Sequence, residues 1–317
     1  MTIENKIDLH QGDYITKLIG FMVGAFIIGI VCFIDDVKNV PAIGKLLAQV
    51  LGAIVVIKCG IKIDNLDVPF LNLENMGNTF YVLLTVLWIV GITNALNLID
   101  GLDGLSTGIS LISCLSLLII FSLNGSPMIS IVLITALGGA LCGFLPYNFN
   151  PAKTFIGDTG SNFLGYCLSI ISILGIAKTY TAIVIIAPLM VLALPIFDTL
   201  FAIVRRMVKG KSLKAIIEPD AGHLHHKMLK KGFTQKQAVL ILYGISAIFG
   251  MFAIILMDSG IWKALSFAII MAIIIAMGYK EFFKQRLLMD NSEDDDNENK
   301  NLENIDGQIE IDNMEDE

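Results

Sequence analysis

Most of the residues able to do chemistry in this chain are aspartates, and they are grouped. Residues 1 to 289 hold 16 carboxylates, and seven of them, Asp35, Asp36, Asp100, Asp103, Asp158, Asp198 and Asp220, cluster at the ends of apolar runs or in the loops that join them. A carboxylate within a membrane helix costs about 2.5 to 3.5 kcal/mol, so it needs a partner or a task. Helix capping is a sufficient account of any one of them. It is a poor account of seven beside histidines and glycine turns. Asp35 and Asp36 end one run, Pro41 marks a turn, and Lys45 and Gln49 stand at i and i+4 on one face of the next helix. Paired carboxylates at such a mouth can bind a divalent cation or accept a proton. Asn94, Asn97 and Asp100 are spaced by three and point the same way on a helical turn, just before the glycine turns of Asp100 and Asp103. Amide and carboxylate oxygens on one face suit a hard cation such as Mg²⁺, which takes its remaining ligands from substrate phosphates. The alternating ligands and terminal Glu of a calcium EF-hand are missing.

Asp158 lies between Gly157 and Gly160, with Ser161 following, at the entry to a helix. Backbone N–H groups of a glycine turn at a helix N-terminus favour phosphate, although a plain helix start would read the same. The Gly-Lys-Ser/Thr ending of a P-loop is absent. The fourth group, His223, His225 and His226 followed by Lys227, Lys230 and Lys231, stands in a basic loop that begins with Arg205 and Arg206. A zinc site is the rival reading, but the lysines would repel a cation and no cysteine is near. Imidazoles beside lysines and arginines make a better anion-binding surface.

The elements that must position these groups are membrane helices. The chain has 317 residues, 55% apolar and 16% charged, with a mean hydropathy of +0.74, against roughly a quarter charged in soluble domains. That composition excludes an ordinary soluble enzyme. Runs able to cross a bilayer, which takes about 20 residues, lie at 18–34, 43–59, 79–99, 105–123, 127–145, 162–177, 181–204, 237–257 and 261–279. Nine spans put the termini on opposite sides. With residue 1 outside, 16 of the 22 lysines and arginines fall on inner segments and six on outer ones, so the positive-inside rule predicts N-outside and C-inside. All four groups then face the cytoplasm. The net charge of -7 divides into +5 for residues 1–289 and -12 for the tail from Asp290, which reads as a disordered appendage. Neither part suits nucleic acid. The five cysteines are scattered in or beside apolar runs and read as small packing residues. The N-terminus has no basic segment with a cleavage site, so no removable signal peptide is expected. Segment 60–78 alternates enough to predict a short hairpin.

Together the four groups resemble the polyprenyl-phosphate N-acetylhexosamine-1-phosphate transferase family, over about residues 18 to 280. The matching motifs are the pair Asp35-Asp36, the N-x-x-N-x-x-D-G-L-D-G-L signature from Asn94 to Leu105, the F-x-G-D-x-G-S turn from Phe155 to Ser161, and the histidine loop. That loop looks like the branch using UDP-N-acetylglucosamine; the phospho-N-acetylmuramoyl-pentapeptide transferases, with three consecutive histidines, are the alternative. The resemblance implies an all-α polytopic bundle in the bacterial plasma membrane, a polar segment at 1–17, a transferase domain at 18–280 and the acidic tail at 281–317. It implies transfer of N-acetylglucosamine 1-phosphate from the UDP-sugar to undecaprenyl phosphate, releasing UMP, as a first membrane step of a surface polysaccharide of the teichoic acid type. Mg²⁺, with Mn²⁺ as substitute, would be held by Asp158 and Asn97. Asp35 or Asp36 would act as base. Lys45, Asn94, Asp100 and Asp103 would bind the nucleotide sugar, and Arg206, His223, His225 and His226 would grip phosphates. A homodimer is left open. Family members usually begin with two further spans and a T-P-x-x-G-G segment that residues 1–17 do not match, which reads as a shortened N-terminus. An intramembrane prenyltransferase would leave the histidine loop unexplained, an ion-coupled transporter would need its acids at mid-span, and an inactive truncated membrane protein is the remaining alternative.

Overall fold

The structure, a computed structural model, describes residues 11–64, 77–176, 182–210, 223–272 and 274. Asp220, the greater part of segment 60–78 and the acidic tail lie outside the described residues. The regular structure among the described residues is helical throughout: α1 Gln11–Lys38, α2 Ala42–Lys58, α3 Asn78–Ile99, α4 Leu105–Leu123, α5 Met128–Asn148, α6 Gly157–Ile176, α7 Ala182–Val191, α8 Ala193–Gly210, α9 Leu224–Lys230 and α10 Gln235–Ser259. A short apolar helix, α11 Ile261–Ala272, follows. The chain divides into two units, Met1–Ala264 and Leu265–Glu317; the described part of the second continues α11.

Five described helices are long and apolar enough to cross a bilayer: Asp13–Lys38 within α1, α3, α4, α5 and α10. The chain is a polytopic membrane helix bundle. The run at 181–204, expected as one span, is instead two helices, because Leu192 interrupts it between α7 and α8. Pro195 explains the break: it has no N–H to give the Val191 carbonyl, and its ring clashes with that carbonyl.

The core is centred on α6, whose Leu164, Tyr166, Leu168, Ile170, Ile171 and Ile173 are buried. Burial from water cannot hold helices together inside lipid, so close packing and hydrogen bonds must. Gly165 supplies the closeness: a Cβ there would lie 3.0 Å from the carbonyl oxygens of Ile92 and Thr93 on α3. The polar ties are Trp88 Nε1 donating to Ser169 O at 3.2 Å and Ser172 Oγ at 3.1 Å, and Tyr166 OH donating to Phe21 O at 3.0 Å. The first pair joins α3 to α6 and the second bond joins α6 to α1, each in the middle of the helices it links.

Candidate active site

The C-terminal ends of α1 and α3 and the N-terminal ends of α2 and α6 converge. The connection from α1 to α2 is a tight turn, with Asn39 at φ 50° and Pro41 preceding the first residue of α2. It brings Lys45 back beside Asp35, which also accepts from Val40 N at 2.6 Å. Lys45 Nζ donates to Asp35 Oδ2 at 2.7 Å and to Asp158 Oδ2 at 2.6 Å. One turn further along α2, Gln49 Nε2 donates to Asn162 Oδ1 at 2.8 Å, and Asn94 Nδ2 donates to Gln49 Oε1 at 2.6 Å. The shared face expected for Lys45 and Gln49 is therefore the one turned toward α3 and α6.

Asp36 points to another partner. Its carboxylate accepts from Asp158 N at 3.1 Å, Thr159 N at 3.2 Å and Thr159 Oγ1 at 2.6 Å. Those N–H groups belong to the first turn of α6, which has no intrahelical acceptors for them, so one helix end is capped by an acid from another. Gly157, at φ 64°, makes the entry turn, and a Cβ there would come within 3.1 Å of Asp36 Oδ2. Asn97 Nδ2 donates to Asp158 Oδ1 at 3.2 Å and to Ser161 Oγ at 3.0 Å, tying the end of α3 to the same carboxylate. Asp158 is thus met by an ammonium on one oxygen and a carboxamide on the other.

Among the described residues no three His, Cys, Asp or Glu side chains converge as a ready metal site. The donor set that is present, the carboxylates of Asp35 and Asp158 with the Asn97 amide, is all hard oxygen chemistry and holds a cation already in the form of the Lys45 ammonium. It fits Mg²⁺ bound together with phosphate oxygens and water, and does not fit an all-protein cage.

Beside this cluster lies a cavity of 310 Å³ lined by Asp100, Asp103, Asn148, Phe155, Gly157 and Asp158 among others. Asp100 caps the end of α3 and accepts from Ser106 Oγ at 2.6 Å. Burial, aided by the negative charge of Asp158, pushes its carboxyl up to about 6 against the Ser106 bond. Asp103 is engaged by the next loop, accepting from Asn150 Nδ2 at 2.9 Å and Ala152 N at 3.2 Å. Asn148 is held between Thr107 Oγ1 at 2.7 Å and Thr154 O at 3.0 Å. Tyr243 of α10 closes the back of this turn: its hydroxyl donates to Gly104 O, and its ring fills the place that a Gly108 side chain would take. Ser106, Ser161 and Asn162 lie within or beside motifs and could have been found from them. Tyr243 carries no local signal.

The histidine group forms α9, and its members have different surroundings. His223 and His225 are buried, 5% and 2% exposed, while His226 is half-buried and Lys227 and Lys230 are exposed. His223 Nδ1 is 2.9 Å from Asp198 Oδ2 on α8, and Leu224 N donates to Asp198 Oδ1 at 2.9 Å. The His225 ring occupies the space a Gly101 side chain would need, so α9 lies directly on the Asp100–Gly101 turn. Its ring stacks parallel to His223 at 5.9 Å and lies 4.2 Å from His226. An anion grip by all three histidines was expected; two are packed inward, which leaves His226 and the lysines as the accessible polar side chains of the group. Arg206 is half-buried on α8, two turns beyond Asp198.

Residues 18–176 match the model of glycosyl transferase family 4, a span that contains every group above except α8, α9 and Tyr243. The chain is 44% identical over 271 residues to a Bacillus subtilis (strain 168) protein named "Probable undecaprenyl-phosphate N-acetylglucosaminyl 1-phosphate transferase", covering 85% of this chain and 74% of that one. It is 33% identical over 289 residues to the decaprenyl-phosphate N-acetylglucosaminephosphotransferase of Mycolicibacterium smegmatis, covering 83% and 70%. A phospho-N-acetylmuramoyl-pentapeptide-transferase of Staphylococcus epidermidis is 32% identical over 160 residues, 46% of this chain and 50% of its own. With the motif ends of four helices gathered at Asp158 beside one cavity and relatives of this kind along most of its length, the chain belongs to glycosyl transferase family 4.

Proposed function

We propose that the protein transfers N-acetylglucosamine 1-phosphate from UDP-N-acetylglucosamine to undecaprenyl phosphate and releases UMP, with its site on the cytoplasmic side of the membrane. The observation that carries this reading is the meeting of Asp35, Lys45, Asn97 and Asp158 at the N-terminus of α6, beside a cavity with room for a diphosphate. The names of the relatives that cover most of the chain favour N-acetylglucosamine as the sugar.

In the reaction an oxygen of the lipid phosphate forms a bond to the sugar-linked phosphorus, and the bond from that phosphorus to the oxygen bridging to UMP breaks. UMP leaves with the electron pair. Such a transfer demands positioning and charge neutralisation more than covalent help. Mg²⁺, when bound by Asp158 and Asn97, supplies charge neutralisation to the diphosphate. Lys45 stands ready to hold a phosphate oxygen, and its ammonium offsets the repulsion between the Asp35 and Asp158 carboxylates that it bridges. Asp36 holds the α6 N-terminus, and with it Asp158, at the mouth of the cavity. That leaves Asp35 as the better placed of the pair to take a proton. The need is small, because a phosphate monoester with a second pKa of about 6 is largely ionised at neutral pH. Asp100 and Asp103 line the space for the nucleotide sugar, and His226 stands beside His225 on the helix that packs on the same turn.

Proteoliposomes holding the purified protein should release UMP only when UDP-N-acetylglucosamine, undecaprenyl phosphate and Mg²⁺ are all present, and should stop on addition of EDTA. UMP release that persists in EDTA, or without the lipid phosphate, contradicts the reading. A preference for the muramoyl-pentapeptide nucleotide over UDP-N-acetylglucosamine would move the chain to the other branch.

A further inference from the structure

The histidine helix α9 has seven residues, too few to be stable by its own hydrogen bonds. Its N-cap residue, His223, makes no capping bond with its own side chain. The cap comes from α8 instead. Asp198 places one oxygen on Leu224 N and the other on His223 Nδ1, both at 2.9 Å, and its side chain is only 9% exposed. A buried carboxylate with both oxygens engaged on one short helix holds that helix in place and orientation. Two residues on from the N-cap, the consequence appears at the site. His225 is pressed on Gly101, at the turn that carries Asp100 into the cavity. The ring edge that meets Gly101 is Nε2 and Cε1, while Nδ1 is buried and has no hydrogen-bond partner among the described residues.

We propose that Asp198 is a positioning residue that docks α9 on the Asp100–Gly101 turn, so that the His225 ring fixes the turn that carries Asp100 to the cavity for the nucleotide sugar. Burial also lowers the His225 ring to about 4; a neutral imidazole, unlike a charged one, can accept or donate according to its tautomer. Charge alone would have placed the histidines at the surface as cations. The packing makes two of them a buried extension of the Asp198 carboxylate. The inference rests on the transferase reading for its ligand, but not for the docking of α9.

Asp198→Asn keeps the shape and the bond from Leu224 N while weakening the hold on His223. In proteoliposomes it should raise the KM for UDP-N-acetylglucosamine about tenfold, which corresponds to about 1.4 kcal/mol, with kcat within about twofold and the KM for undecaprenyl phosphate unchanged. His223→Gln should do the same. The double variant should be no worse than either single one, because both remove one interaction. Independently of turnover, trypsin should cut the Asp198→Asn protein faster than wild type after Lys227 and Lys230, read by mass spectrometry of the full-length chain. Wild-type KM with wild-type cleavage overturns the proposal, as does a fall in kcat alone or full additivity of the two substitutions. If the wild-type protein releases no UMP, the transferase reading fails, and the cleavage rates still decide whether Asp198 docks α9.

Discussion

Two adjacent aspartates end α1 and have different tasks. Asp36 gives its oxygens to the first N–H groups of α6, a cap of the kind worth about 0.5 to 2 kcal/mol. Asp35 faces the Lys45 ammonium. Their order in the chain could not separate them, because the choice depends on where α6 lies. Asp100 shows a different tension. Its ordinary pKa of 3.8 is pushed up to about 6, chiefly by burial. A folded state that holds its proton more tightly than the unfolded chain is favoured when that proton is present. The contribution is therefore full below about pH 4 and is lost as pH rises through about 6. Asp100→Asn, which keeps an acceptor for Ser106 but carries no charge, should raise the melting temperature at about pH 8, by a stability on the order of 3 kcal/mol, and change it little at about pH 4. Turnover should fall in the same variant. Differential scanning fluorimetry across that pH range checks this; an equal shift at both ends would mean that the buried charge is not the cause.

At the scale of elements, the start of α4 is held from outside its own sequence. Gly104, at φ 76°, turns the chain between Asp103 and α4, and its carbonyl accepts from Tyr243, 139 residues later on α10. Tyr243→Phe keeps the ring that packs on Gly108 and removes that bond. It should cost about 1 kcal/mol of stability and lower turnover by loosening the turn that carries Asp100 and Asp103. Thermal melting in detergent and UMP release measure the two effects. Unchanged turnover with lowered stability would show that the bond holds α10 but does not organise the site. The break between α7 and α8 belongs to this scale as well. Pro195 was visible, yet an unbroken apolar run hid its effect, because periodicity and hydropathy are blind to a missing N–H. The break starts a new helix, α8, five residues before Asp198.

For the molecule as a whole, composition and run length made a polytopic helix bundle legible, because a membrane demands long apolar helices whatever their function. The four motif groups were legible for a related reason. Polar residues are costly near lipid, so those present stand out, and three of the four groups do meet at one carboxylate, Asp158, beside a cavity. What could not be read were the long-range pairings: Asp36 with α6, Asp198 with His223, and Tyr243 with Gly104. Each joins residues that local spacing cannot relate, and each decides whether a polar side chain works on a ligand or on another helix. The burial of His223 and His225 was missed in the same way, since neighbouring lysines suggested an exposed surface. The central claim is that the Asp158 cluster moves a sugar together with its phosphate. The most direct test supplies UDP-N-acetylglucosamine radiolabelled in the sugar-linked phosphate to proteoliposomes containing undecaprenyl phosphate and Mg²⁺. The wild-type protein should carry the label into the lipid with one UMP released per label transferred, and Asp158→Asn should reduce transfer at least about 100-fold. Release of UDP in place of UMP, or transfer by Asp158→Asn at the wild-type rate, would contradict the account.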